Sequence, residues 1–185
     1  STKSATVREQ LNTFLSSAKA NGLLDQLNKK WIGNTEPTEL FDHDSLSGEN
    51  GTLIVAVSSD LKPLCYMKNG AVAGYEVEVL QYFAKEYGYA LKIDMMDFSA
   101  LLSSLTAGRY DLAIAGITVT EERKESVLFS NTYCSCSVVM AILSDDKTQN
   151  TELTLSDFTE AKIGIITGSS HDQTAKEHFP NAERV

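Results

Sequence analysis

Three cysteines among 185 residues are odd in number and too few for the disulfide framework of a small secreted scaffold. The three histidines, His43, His171 and His178, follow no metal-site spacing, so no metal is assigned and no cofactor is expected. Sixteen Lys and Arg face 25 Asp and Glu, and the formal charge of −9 argues against nucleic acid or an anionic membrane as partners. No apolar run approaches the roughly 20 residues that cross a bilayer. The first residues also lack the basic, apolar and small-residue succession of an export signal. We therefore expect the chain to begin after any such signal or to be cut from a longer one. Its 42% hydrophobic content supports a real core, enough for one domain or one and a fraction.

What is present centres on Asp111-Leu-Ala-Ile-Ala-Gly-Ile-Thr-Val-Thr-Glu-Glu-Arg123. The run Leu112 to Ile117 has the unbroken apolar character of a strand covered on both faces, as in a parallel sheet. Gly116 lets backbone approach a ligand, Thr118 and Thr120 cap or accept, and the first amides of the next helix point outward. Arg123 then offers a planar fork to two oxygens. This is a carboxylate receptor in outline. The plainer alternative is that Thr120 is an N-cap and Arg123 a solvated helix residue.

Along the chain, residues 6 to 20 are predicted as an amphipathic helix opened by a Thr6/Glu9 capping box, with Val7, Leu11, Phe14, Leu15 and Ala18 on one stripe. Asn21-Gly22 ends it, and a second short helix carries Leu24, Leu27 and Trp31 to Gly33. Residues 34–51 hold five acids and no Lys or Arg, the composition of a solvated linker. After it, strands at 53–58, 91–96, 111–116, 133–143 and 162–167 alternate with helices at 75–87, 99–108, 121–127 and 170–178. That order implies an α/β fold with one open, mainly parallel sheet flanked by helices. Ligands in such sheets sit beyond the carboxyl ends of strands, where residues 58–66, Phe98 and Gly116 to Arg123 fall. Cys134 and Cys136 are expected as small buried residues on one strand face. Cys65 lies in the expected ligand loop, with no activating base nearby in sequence.

Several stretches, taken in order, resemble a known family. They are Leu53-Ile-Val-Ala-Val-Ser-Ser-Asp-Leu-Lys-Pro-Leu-Cys-Tyr66, Gly74-Tyr-Glu-Val-Glu-Val-Leu80, Asp97-Phe-Ser99, Ala115 to Arg123, Phe129-Ser-Asn-Thr-Tyr133 and Lys162-Ile-Gly-Ile-Ile-Thr-Gly-Ser-Ser170. The set resembles the amino-acid-binding solute-binding proteins, two-lobed receptors of ABC importers with the type II periplasmic binding protein fold. Glu76 stands where aspartate is more usual. Ala20 to Gly33 resembles the end of such a domain, not its start. The resemblance thus implies a slice of a tandem: 1–33 closing one domain, 34–51 linking, 52–144 forming the first lobe of the next, and 145–185 beginning its second lobe. An ordinary N-terminal helical hairpin is the alternative for 1–33.

The resemblance also implies roles. Arg123 would clamp a ligand carboxylate with help from the Thr118 hydroxyl and N–H, and the Gly116 carbonyl would accept from the ammonium. Phe98 would lie against the ligand or pack in the core. Leu61 and Tyr66 would line the pocket, Leu61 where an aromatic is frequent, and Asp60 would contact a polar ligand group or be an exposed loop acid. Thr167, Ser169 and Ser170 would take the other side of the carboxylate, or cap a helix. The implied function is extracytoplasmic capture of a small amino acid, glutamine or another polar one favoured, for the membrane permease of an ABC importer, with this stretch alone binding weakly or not at all. No enzyme is expected. The rivals are a sensing domain of a membrane receptor or kinase and, on the same fold, a small-acid dehydratase using Asp60 or Glu76.

Overall fold

Leu53, Val55, Ala56 and Val57 leave no polar face on their strand, and the fold hides all four completely. A computed structural model of the protein describes residues 2–33, 37, 39–42, 45–58, 60–143 and 153–185. The chain divides into two units, Ser1–Tyr133 and Cys134–Val185.

In the first unit, β1 (Thr52–Val57) is the middle strand of a parallel sheet. On one side it pairs with β5 (Ala90–Met95), from Thr52 opposite Ala90 to Val57 opposite Met95. On the other it pairs with β6 (Leu112–Ile114). The Asp111 carboxylate accepts from the Ile54 amide at 2.9 Å while the Asp111 amide donates to the Ile54 carbonyl at 2.8 Å, fixing where β6 starts. A small antiparallel sheet follows β1: β2 (Asp60–Leu61), β3 (Cys65–Lys68) and β4 (Ala71–Ala73). Asn69 and Gly70 turn β3 into β4 with φ of 51° and 82°, the left-handed pair that a two-residue hairpin requires.

The helix α3 (Tyr75–Glu86) connects the two sheets, and nearly every residue from Tyr75 to Ala84 is buried. The reason lies in α1 (Thr2–Ala20) and α2 (Leu23–Trp31), which cover the side of α3 that the strands leave bare. Phe14 meets Phe83 edge-on at 5.8 Å, and the Tyr89 hydroxyl donates to Gln10 at 2.9 Å. The buried Glu78 carboxylate accepts from the Trp31 indole at 2.6 Å and the Lys30 ammonium at 2.8 Å. The helices α1 and α2 therefore pack on α3 within the first unit.

The helix starts at Thr2, so Thr6 lies inside it and forms no N-terminal capping box with Glu9. Within 34–51, Phe41 packs edge-on against Tyr82 at 5.3 Å and Asn50 bonds the residues after α3 through Tyr87 and Gly88. Residues 99–108 split into a short 3-10 turn (Phe98–Ala100) and α4 (Leu101–Thr106). Residues 121–127 hold only α5 (Glu121–Lys124).

The second unit contains a 3-10 turn (Leu155–Phe158), β7 (Lys162–Ile163) parallel to β8 (Glu183–Arg184), and α6 (His171–His178). Ala175, Phe179 and Ala182 are the buried apolar residues among those described in it. The strand expected at 133–143 is absent from the described residues there. Its β-branched composition favours extension, but none of the described residues supplies the ladder that makes a strand. Cys136 is exposed and Cys134 half-buried in consequence, against the expectation that both are buried.

Candidate functional site

Side chains alternate across a strand, and opposite residues of an antiparallel pair share a face. Leu61 faces Cys65, and Asp60 faces Tyr66. The first pair turns toward the end of β6: an added Cβ on Gly116 would stand 2.7 Å from the Leu61 side chain and 3.5 Å from that of Leu64. The second pair lies toward α2, where the buried Tyr66 ring sits edge-on to Trp31 at 6.2 Å with the Lys62 ammonium 5.2 Å above it. Asp60 is exposed. A groove of about 290 Å³ opens there, lined by Trp31, Pro37, Lys62, Pro63 and Tyr66 among others. Of the three residues named in this loop, only Leu61 is brought to Gly116, and Leu64 joins it unforeseen.

Phe98 is half-buried and packs on the cluster of Ala56, Leu101 and Ala115, together with Met96, Tyr110 and Ile117. It thus flanks Gly116 through the residues on either side of that glycine. Both of its open roles, core and ligand contact, are compatible with this position.

Arg123 lies in α5, whose N-cap is Thr120; the Thr120 hydroxyl accepts from the Arg123 amide at 3.3 Å. The guanidinium turns back and donates from Nη1 to the Thr118 carbonyl at 2.7 Å. This bond uses the Thr118 carbonyl, a different group from the hydroxyl and N–H expected to serve a ligand carboxylate. Arg123 is half-buried and Thr118 exposed, so a planar cation is held at the open side of the turn from Gly116 to Arg123.

Gly116 takes a φ of +58°, and its amide donates to both oxygens of Glu76 at 2.9 and 3.0 Å. The Tyr133 hydroxyl donates to the same carboxylate. Burial pushes the Glu76 carboxyl above its ordinary value of 4.5, with the Tyr133 and Gly116 donors opposing without cancelling it. Burial first, and the Glu76 charge second, push the Cys65 thiol up to about 12. That thiol is therefore not a nucleophile near neutral pH. Glu76, a helix-opening acid in the sequence, emerges as a hydrogen-bond hub. The signal for it is the Gly74-Tyr75-Glu76 triplet, which does not disclose the long-range partners.

In the second unit, Thr167 is exposed and Gly168 has a φ of +77°. The Ser169 hydroxyl accepts from the His171 amide at 3.2 Å, and Ser170 occupies the N-cap of α6 without a side-chain capping bond. Ser169, rather than Ser170, does the capping. Among the described residues no three His, Cys, Asp or Glu side chains gather as a metal site would need.

The family model of bacterial extracellular solute-binding proteins, family 3, matches residues 53–181. The arginine-binding extracellular protein ArtP of Bacillus subtilis (strain 168) is 32% identical over 128 residues, which are 69% of this chain and 49% of that protein. The L-cystine-binding protein TcyJ of Escherichia coli (strain K12) is 28% identical over 136 residues, 73% of this chain and 50% of its own length. Among solved structures, the amino acid ABC transporter substrate-binding protein AbpA of Streptococcus pneumoniae, bound to L-arginine, superposes with a TM-score of 0.64 at 28% identity over 75% of this chain and 60% of its own. The ancestral amino acid-binding protein AncCDT-1, described as a precursor of cyclohexadienyl dehydratase, gives 0.66 at 27% identity over 77% and 63%. The chain spans about half the length of the curated relatives it matches.

Proposed function

The chain belongs to family 3 of the bacterial extracellular solute-binding proteins, and from that premise we propose that it supplies the first lobe of a receptor that captures an amino acid outside the cytoplasm for the permease of an ABC importer. The observation that carries this reading is the meeting of separate segments beyond the carboxyl ends of β1 and β6. Leu61 and Leu64 rest on Gly116, Phe98 packs beside it, and Arg123 holds its guanidinium at the edge of the same turn.

The proposed chemistry is an exchange of acceptors. The Thr118 carbonyl takes a donor from Arg123, and a ligand carboxylate competes for that guanidinium. The bond to the carbonyl has one charged partner, whereas a carboxylate brings the second charge and takes two parallel bonds from the planar fork, so the carboxylate wins. Thr167, Ser169 and Ser170 are proposed to serve the ligand from the second lobe. For the ligand, relatives and solved complexes naming arginine, and an ancestral arginine-binding protein bound to glutamine, support a polar or cationic side chain. The formal charge of −9 favours a cation. Capture without catalysis is preferred over a dehydratase because Glu76, one of two acids considered, is committed to Gly116 and Tyr133. A sensing receptor would use the same capture.

Residues 1–33 are proposed as the closing helices of a preceding domain of the same kind; an upstream strand-to-arginine motif would support this, and unrelated upstream sequence would end it. The test of function is calorimetry of the complete protein against a panel led by L-arginine and L-glutamine. The 185-residue chain alone is expected to bind weakly or not at all. Arg123→Ala should weaken every amino acid at least about ten-fold, the equivalent of a lost charge-assisted contact. Undiminished binding by that variant would remove the clamp.

A further inference from the structure

Each member of the Gly74-Tyr75-Glu76 triplet that opens α3 has a separate structural task. An added Cβ on Gly74 would stand 2.2 Å from the Leu64 carbonyl oxygen, so only glycine lets the helix start this close to the loop. The Tyr75 and Glu76 amides then donate to the Pro63 and Leu64 carbonyls, each at 3.0 Å. The helix thereby carries the loop whose Leu61 and Leu64 side chains rest on Gly116. The Tyr75 hydroxyl donates to the Tyr133 carbonyl at 3.1 Å, with the two rings stacked 6.4 Å apart. Tyr133 is the last residue of the first unit.

Glu76 completes the set. It is 1% exposed, and no basic side chain among the described residues pairs with it. The groups facing it are the Gly116 amide, the Tyr133 phenol and, from β3, the Cys65 thiol, with Tyr75 beside Tyr133. A buried carboxylate without a cation is costly, and packing alone would be served better by Leu or Met. What only a carboxylate supplies is a charged pair of acceptor oxygens, both bridged by the Gly116 amide while Oε1 also accepts from the Tyr133 hydroxyl, which arrives from a different part of the chain. Gly116, with its positive φ, stands beyond the β6 ladder and needs such an acceptor for its amide.

We propose that Glu76 is a positioning residue for the amino-acid site: it sets the turn from Gly116 to Arg123 and ties that turn to Tyr133, where the chain leaves the first unit. Its purpose rests on the receptor reading above; its geometry does not. Glutamine at this position loses the charge and sets an NH2 donor where the second oxygen stood, so the Gly116 amide loses its bridging bond and both donors are left with one neutral acceptor.

The experiment is two-armed. In a ¹⁵N-labelled chain, the Gly116 amide resonance should move with pH as the Glu76 carboxyl titrates, and its hydrogen exchange should be slow. In Glu76→Gln the movement should vanish, and the resonances of 116–123 should broaden while the remainder of the spectrum holds. Tyr133→Phe, which keeps the carboxylate but removes a donor to its charged form, should shift the midpoint of the Gly116 titration upward. In the complete protein, L-arginine affinity should fall roughly ten-fold in Glu76→Gln. A wild-type Gly116 amide that ignores pH, or a midpoint unmoved in Tyr133→Phe, overturns the positioning role. Failure of the wild-type protein to bind any amino acid overturns the receptor reading, and the tie from Glu76 to Gly116 and Tyr133 then stands or falls on the resonance arm alone.

Discussion

Replacing Trp31 by phenylalanine tests whether α1 and α2 belong to the first unit energetically as well as geometrically. Trp31 is 4% exposed, and its indole N–H reaches Glu78 at 2.6 Å. The substitution removes a hydrogen bond to a buried charged acceptor, worth about 1.5–3 kcal/mol, and part of a ring, worth about 1 kcal/mol more. The sum is about 2.5–4 kcal/mol. For a unit of this size each kcal/mol moves the melting temperature by roughly 3–4 °C, so calorimetry should show a fall on the order of 10 °C. Lys30 shares the same carboxylate but is 29% exposed. Lys30→Met should therefore cost under about 1 kcal/mol. A double-mutant cycle with Glu78→Met separates hydrogen bond from packing: with both partners apolar, the double variant should recover about 1.5–3 kcal/mol relative to the sum of the single changes. A melting temperature within about 1 °C of wild type in Trp31→Phe, with no coupling in the cycle, would show that these helices contribute nothing to the unit.

Gly116→Ala places an L residue at a φ of +58° and a Cβ 2.7 Å from the Leu61 side chain. The backbone strain is about 1–2 kcal/mol; a companion Leu61→Ala should relieve only the steric share, and denaturant titration of the pair distinguishes the two. Glu76 has a raised folded-state value, so the folded protein holds that proton more tightly than the unfolded chain. Its favourable contribution is present below about 4.5 and drains away as pH rises through the raised value. The stability of wild type relative to Glu76→Gln should accordingly fall with rising pH across that window, and a difference that grows with pH would contradict the assignment. In native protein at pH 8, a maleimide should label Cys136 and Cys134 well before the fully buried Cys65, whose thiol is pushed up to about 12; equal rates for all three would contradict the burial of β3.

The parallel sheet and α3 are legible in the sequence because their signals are local. Leu53 to Val57 is a continuous apolar run, and Val79, Leu80, Phe83 and Ala84 recur at helical spacing, so period and composition alone place them. The hairpin of β3 and β4 carries a local signal too, Asn69-Gly70 between two apolar stretches, but the expectation of a ligand loop over the residues before it hides the strand that the turn belongs to. The stretch 133–143 shows the opposite error. Valine and isoleucine there describe a preference for extension, whereas a strand also needs a partner, which no local window reports.

The site divides along the same line. Arg123, Thr118 and Gly116 stand out because a glycine, two hydroxyls and an arginine after a strand form a short contiguous pattern. Their organising group does not, because Glu76 lies 40 residues from Gly116 and 57 from Tyr133 in sequence. The sequence nonetheless holds a trace of it. Glu76 and Glu78 lie two apart on a helix otherwise rich in apolar residues, with both sides of that helix covered, so each acid must meet a donor brought from elsewhere. Glu78 finds Trp31 and Lys30 on one side, and Glu76 finds Gly116 and Tyr133 on the other. Two buried acids in the covered part of this helix thus mark the two surfaces at which distant parts of this chain must be gathered: one secures the docked helices, and the other secures the turn that bears the arginine.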